Sequence, residues 1–177
     1  MLNFSHPLWK VLLPLVTIVL VSFIARRKLH YSWQKDLLLV LPPPKILLFW
    51  ILVFGTYMLS TDYFWHWRGD WNFQTWQQQS LFTSITRVFA VVIAGPLAEE
   101  MLFRGLLLIR LNRTGLNRGI SLVLITSVWA GIHMEYSWEI IILIFGNGLL
   151  LGLSLYSSRS LLVPMILHMI WNGYAVW

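Results

Sequence analysis

Glu99 and Glu100 stand side by side in an otherwise apolar run, Val91 to Leu108, and Arg104 follows four residues after Glu100. Only seven acidic residues occur in the whole chain, so two adjacent ones in such a run stand out. A charge at bilayer depth is costly, and an ionisable group there marks a functional site by default. Adjacent helical residues point about 100° apart, so the two carboxylates cannot aim at one spot equally. Glu100 and Arg104, four apart and acid first, share a face in the favourable order. Glu100 is therefore expected to pair with Arg104, which makes both charges tolerable and fixes the helix rotation. Glu99 is left for a cavity, where an unpaired carboxylate can act as a general base.

Two further polar pairs lie on apolar stretches: Trp129 with His133, and His168 with Asn172. His133 is the natural partner of Glu99, because a carboxylate and an imidazole together can deprotonate a water and pass the proton to a leaving amine. His168 and Asn172 are four apart and face the same way. Both can donate hydrogen bonds to a developing oxyanion, the usual main term in acyl transfer. The candidate catalytic set is Glu99, Glu100, Arg104, His133, His168 and Asn172. Trp129 reads as packing. Gly148 and Gly152 form a small-xxx-small face that lets another helix approach, with Asn147 adding an interhelical hydrogen bond. His6, His30 and His66 read as inert loop or interface residues, and Asp62, Asp70, Glu135 and Glu139 as solvated boundary charges.

Glu99, His133 and His168 could also form a two-histidine, one-carboxylate zinc shell. The chain has no HExxH helix, and Asn172 beside His168 suits hydrogen bonding better. No cofactor is expected, and zinc is the disfavoured alternative. Cysteine is absent, which removes thiolate catalysis, cysteine-bound metal and disulfides.

These groups need elements to hold them. The chain has 177 residues, 58% hydrophobic and 11% charged, too apolar for an ordinary soluble domain. It reads as all-α: a single polytopic membrane domain over residues 1–177, a transmembrane helical bundle of about six spans, helical because lipid offers the backbone no other partner. The spans run roughly Leu8–Ala25, Pro44–Ser60, Val88–Leu111, Ile120–Met134, Glu139–Ser157 and Leu161–Trp177. The catalytic core occupies about residues 88–177. Arg26-Arg27-Lys28 reads as a stop-transfer flank, so the first span is expected to be retained. Asp36–Leu41, before Pro42-Pro43-Pro44, reads as an interfacial elbow. Thr61–Gln79 reads as a polar, aromatic loop, with an aromatic belt from Tyr63 to Trp76, and Ser80–Arg87 as a segment along the interface.

A net charge of +6 raises nucleic acid as a partner, but the basic residues sit in short loops between apolar runs, so topology accounts for them and no nucleic acid is expected. Loops after the first, third and fifth spans hold Arg26, Arg27, Lys28, Lys35, Lys45, Arg110, Arg113, Arg118 and Arg159. The opposite side holds Lys10 and Arg68, with Arg87 near its interface. The asymmetry puts the basic loops in the cytoplasm and both termini outside a plasma membrane. At ~1.5 Å per residue, Glu99 lies about 17 Å and His133 about 20 Å from the starts of their spans, and His168 and Asn172 roughly 10 and 17 Å from theirs. One shared site near the midplane or leaning outward is consistent with these heights.

Glu99-Glu100-x-x-x-Arg104, Trp129-x-x-x-His133 and His168-x-x-x-Asn172, in this order and each on an apolar stretch, resemble the motifs of the CPBP intramembrane proteases. That group includes the CAAX prenyl endopeptidases of the Rce1 type and the bacterial Abi proteins. The resemblance covers about Val88 to Trp177; Trp129 stands where phenylalanine is usual. It implies a metal-free glutamate protease, in which Glu99 and His133 activate the water and His168 and Asn172 form the oxyanion hole. The expected partners are a membrane-anchored protein or peptide substrate and the lipid bilayer. Small members are linked to bacteriocin self-immunity, and others resemble proteases that cut C-terminal anchors of exported proteins. The rival reading is non-enzymatic: a membrane scaffold or immunity binding protein, or a proton-coupled transporter built on the same buried charges. No internal repeat supports a transporter.

Overall fold

The computed structural model describes residues 7–70 and 78–176. Among the described residues there are helices and connecting turns and no strands. Six helices follow in chain order. α1 (Pro7–Phe23) continues as a π-helical turn, Ile24–Lys28. α2 is Pro44–Trp65, α3 is the continuous helix Leu81–Asn112, α4 is Arg118–Gly131, α5 is Trp138–Ser158 and α6 is Leu162–Val176.

Among the described residues, four helices are long and apolar enough to cross a bilayer: Trp9–Lys28, Pro44–Trp65, Leu81–Asn112 and Trp138–Ser158. α4 and α6 are apolar but shorter. At ~1.5 Å per residue they are about 21–23 Å long, against the ~30 Å of a hydrocarbon core. Both lie against α5, and α6 also lies against α2 and α3. Large apolar side chains remain exposed on the helices of full length, such as Val19, Leu52 and Ile142, and on α4, such as Val123 and Val128. These are the surfaces acyl chains would cover.

Several boundaries differ from the sequence reading. Ser80–Arg87 is not a separate interfacial piece: Leu81–Val88 is the start of α3, with Ser80 as its N-cap accepting from the Thr83 N–H. α2 runs on to Trp65, five residues past Ser60, before a 3₁₀ turn at Trp67–Asp70. α4 stops at Gly131, so His133 lies on the turn after the helix. In the expected aromatic belt, Tyr63, Phe64 and Trp65 are exposed, whereas Trp67 is buried and stacks on Trp171 at 4.7 Å. The rest of that loop, residues 71–77, and His6 lie outside the described residues. The elbow Asp36–Leu41 has no helix. It is pinned beneath the bundle, where Val40 O accepts from Ser160 Oγ and Leu38 O from the Leu161 N–H.

α3 is built in alternating stretches. π-type turns at Phe89–Ala94 and Met101–Leu108 flank the α-helical Gly95–Glu100. Pro96 supplies the reason for the first: it has no N–H and its ring displaces the carbonyl one turn back. In a membrane, a local π adjustment is a way to absorb such a proline. The Gly95 N–H accordingly reaches back five residues, to Ala90 O. A side chain at Gly95 would place its Cβ 3.0 Å from that carbonyl. The α4–α5 contact is equally close. A Cβ on Gly148 would lie 2.7 Å from Thr126 Cγ2 and 2.8 Å from the Trp129 ring, so only glycine admits α4 at this distance.

Candidate active site

Glu100 and Arg104 are wholly buried. Arg104 Nη1 donates to Glu100 Oε1 at 3.0 Å, the contact their spacing calls for. The guanidinium does two further things. Its Nη2 donates to Gly148 O on α5 at 3.2 Å, and its plane lies 4.4 Å over the Trp129 ring of α4. One side chain thus ties α3 to α4 and α5 by an ion pair, a carbonyl bond and a cation–π contact. Neither Glu100 nor Arg104 of the candidate catalytic set lines the cavity described below.

Glu99, one residue back, turns to a different face and is half-buried. Its Oε2 accepts from Trp129 Nε1 at 2.7 Å. Trp129 is therefore not merely packing, as the sequence reading had it: a buried indole N–H needs an acceptor, and Glu99 provides it. That requirement was the available signal. The backbone carbonyl of the same Trp129 accepts from His133 Nδ1 at 2.8 Å. The cause is local. The His133 N–H bonds to Ala130 O, which leaves Trp129 O as an orphan acceptor at the helix end. The imidazole caps it, so the four-residue spacing is that of a C-terminal cap. A carbonyl can only accept, so Nδ1 carries a proton and donates here.

His168 is buried on α6, with Nδ1 at 2.9 Å from Glu100 Oε1. Glu100 thus holds both Arg104 and His168. An oxygen already serving a guanidinium accepts only, which places a proton on His168 Nδ1. Asn172, one turn on, donates from Nδ2 to Val91 O at 2.8 Å. That carbonyl lacks both helical partners: Gly95 N–H has gone to Ala90 O, and Pro96 has none to give. Asn172 fills the gap and fastens α6 to the π segment of α3. The amide keeps a second N–H beyond this bond.

Glu99, His133, His168 and Asn172 share the wall of one cavity of about 480 Å³, together with Trp129, Asn147, Gly95 and Trp171. Lys10, Glu135, Tyr136 and Val176 also line it, so it lies toward the side holding the start of α1, the α4–α5 turn and the end of α6. Glu135 is exposed, as a solvated boundary charge would be. Asp62 is not simply solvated: it accepts from the Tyr174 hydroxyl at 2.6 Å and the Arg68 N–H at 3.1 Å. Asn147 does not form the expected interhelical bond: its Oδ1 is buried with no partner among the described residues.

Among the described residues no three His, Asp or Glu side chains gather as the shell of the zinc alternative would require.

Residues 80–174 match the family model described as type II CAAX prenyl endopeptidase Rce1-like. The match begins at the N-cap of α3 and contains Glu99, Glu100, Arg104, Trp129, His133, His168 and Asn172. The chain is also similar to the membrane-embedded CAAX protease MroQ of Staphylococcus aureus (strain USA300), with 34% identity over 94 residues. That alignment covers 50% of this chain and 37% of the relative, so the chain matches well under half of the relative's length. No solved structure matches. The family match spans more than half of the chain and encloses the paired glutamates with Arg104, the capping His133, and His168 with Asn172; on that ground the chain belongs to the Rce1-like family of type II CAAX prenyl endopeptidases.

Proposed function

We propose that the protein is an intramembrane endopeptidase that hydrolyses a peptide bond near a membrane anchor, without metal. The observation that carries this reading is the Glu99 carboxylate, held by the Trp129 indole, in one cavity wall with His133, His168 and Asn172. A base, a second proton carrier and two donor side chains face one space, which is the set that water-driven amide hydrolysis requires.

In this mechanism a water sits between Glu99 and His133. Glu99 takes its proton as the oxygen attacks the carbonyl carbon. The carbonyl oxygen becomes an oxyanion and receives hydrogen bonds from the spare N–H of Asn172 and from His168. His168 donates through Nε2 when that nitrogen is protonated, and Glu100, anionic and shared with Arg104, balances the charge. The C–N bond then breaks, and the proton held by the Glu99–His133 pair goes to the leaving amine. Water supplies the hydroxyl of one product and the proton of the other, so the step balances. No nucleophilic side chain is needed.

The cavity lies away from the basic loops at residues 26–28, 110–118 and 159. With those loops in the cytoplasm, the site opens toward the outer face, which favours exported membrane-anchored proteins, including those with C-terminal anchors, as substrates. The relative MroQ bears the name CAAX protease, and this chain's site is read by analogy with that activity.

The test is direct. The purified protein is reconstituted in liposomes with a panel of single-span reporter proteins, and products are read by mass. Hydrolysis at a bond within or beside the span is the expected result. Intact reporters across the panel would move weight to a scaffold or immunity-type binding protein.

A further inference from the structure

Asn147 is a buried polar residue of the cavity wall that the mechanism above leaves unused. It sits in the middle of α5, between Gly146 and Gly148, and is 2% exposed. Of the buried polar atoms without a partner among the described residues, its Oδ1 belongs to a residue that lines the cavity. Glu100 Oε2, Ser121 Oγ and Thr126 Oγ1, also without a partner, belong to residues outside the lining. An amide left unpaired at this depth is costly unless something supplies a donor.

Several neighbouring donors are committed elsewhere. Trp129 Nε1 goes to Glu99 and one Asn172 N–H to Val91 O. Arg104 is spent on Glu100 and Gly148 O, and His168 Nδ1 on Glu100. The spare Asn172 N–H does not reach Asn147 Oδ1, which stays open to a donor from what occupies the cavity. A peptide bond cannot be attacked while it is sheathed in helix, so a membrane-anchored substrate has to unwind at the cleaved bond. Unwinding frees backbone N–H groups where no lipid can accept from them, and the enzyme must provide acceptors.

We propose that Asn147 is a substrate-binding residue whose Oδ1 accepts a hydrogen bond from an unwound backbone N–H of the peptide beside the cleaved bond. This rests on the protease reading, but it makes a separate demand: the acceptor is unpaired in the free protein and paired in the complex. Asn147→Leu keeps the shape and removes the polar atoms. A helix-gluing asparagine would lose stability on this change, whereas an orphan acceptor would not.

The experiment uses the full chain in liposomes and a synthetic single-span peptide that the wild type cleaves, with a set of analogues N-methylated at successive amides around the cleaved bond. Asn147→Leu is expected to unfold at or above the wild-type temperature and to raise KM about tenfold with a smaller change in kcat. One N-methylated amide is expected to raise KM by a similar factor in the wild type and by no further factor in Asn147→Leu. The same peptides bound to the Glu99→Gln protein, read by fluorescence anisotropy, repeat the pattern without turnover. If cleavage fails but this binding pattern holds, the protease reading falls and the Asn147 assignment stands. A lower unfolding temperature with unchanged KM would overturn the assignment in favour of helix packing. N-methylation penalties equal in the two proteins would overturn it in favour of a resident water.

Discussion

Trp129 touches more of the site than any residue singled out for catalysis: its indole holds Glu99, its carbonyl orients His133, and its ring lies under Arg104. Phenylalanine, usual at this position in the CPBP proteases that the motifs resemble, would keep the ring and lose the N–H. Trp129→Phe should therefore fold normally but lose a hydrogen bond to a charged group, about 1.5–3 kcal/mol. If that bond counts in full at the transition state, kcat falls roughly 10- to 150-fold with KM little changed. Rates equal to wild type would show that Glu99 needs no such support. Asn172 carries two loads. Asn172→Ala should lower kcat roughly 10²–10³-fold as an oxyanion donor. It should also lower stability by about 1–3 kcal/mol, because Val91 O becomes an orphan. An effect on KM alone would remove the oxyanion role. At this scale the spacing of Glu100 and Arg104 was enough to foresee their contact. What spacing could not reveal was which acceptor each donor would find. The bonds from Trp129 to Glu99 and from Asn172 to Val91 both cross between helices, and no local pattern encodes them.

Helices place these side chains except His133, which sits on the turn after α4, and two irregularities do the aiming. The π segment Phe89–Ala94 precedes Pro96 and exposes the carbonyl that Asn172 takes. The early end of α4 at Gly131 lets His133 turn back onto Trp129. Neither was legible beforehand: Pro96 announced a disturbance but not its form, and His133 was read as lying on the helix rather than capping it. Gly148 and Gly152 were legible as a close-contact face, because small residues four apart have few other uses in a membrane helix. Gly148→Ala should crowd Thr126 and Trp129 and cost about 1–3 kcal/mol, read by thermal unfolding. Arg104→Leu should cost more, about 3–5 kcal/mol, because it strands Glu100 as a buried charge. A stable, folded Arg104→Leu protein would mean that the pair does not hold the three helices together.

Across the whole molecule, the apolar composition and the helix count were plain in the sequence, and so was the clustering of basic residues in alternate loops. The short fourth and sixth spans were legible too, and among the described residues both helices are held within the bundle. The basic face is tied by Asp36, which accepts from the Ser32 N–H at 2.7 Å and from Arg113 at 2.6 Å. Those two bonds, the Ser32 one foremost, hold the Asp36 carboxyl down at about 2. A depressed carboxylate stabilises above its unfolded value and is lost as pH falls through the folded one. The clip should therefore be intact above about pH 4 and fade toward pH 2. Because the pair is partly exposed, Asp36→Asn should cost only about 0.2–1 kcal/mol at neutral pH, and this cost should vanish in acid. A cost that persists unchanged at pH 2 would assign the effect to packing.

The central claim is that the Glu99 carboxylate activates water against a peptide bond within the membrane. Its most direct test compares wild type and Glu99→Gln in liposomes on one cleavable membrane-anchored reporter, with and without a chelator, while thermal unfolding confirms that both proteins are folded. The account predicts product from the wild type, unaffected by chelator, and none from the variant. Full activity of Glu99→Gln would contradict it, and wild-type activity lost with chelator would replace it with a metal mechanism.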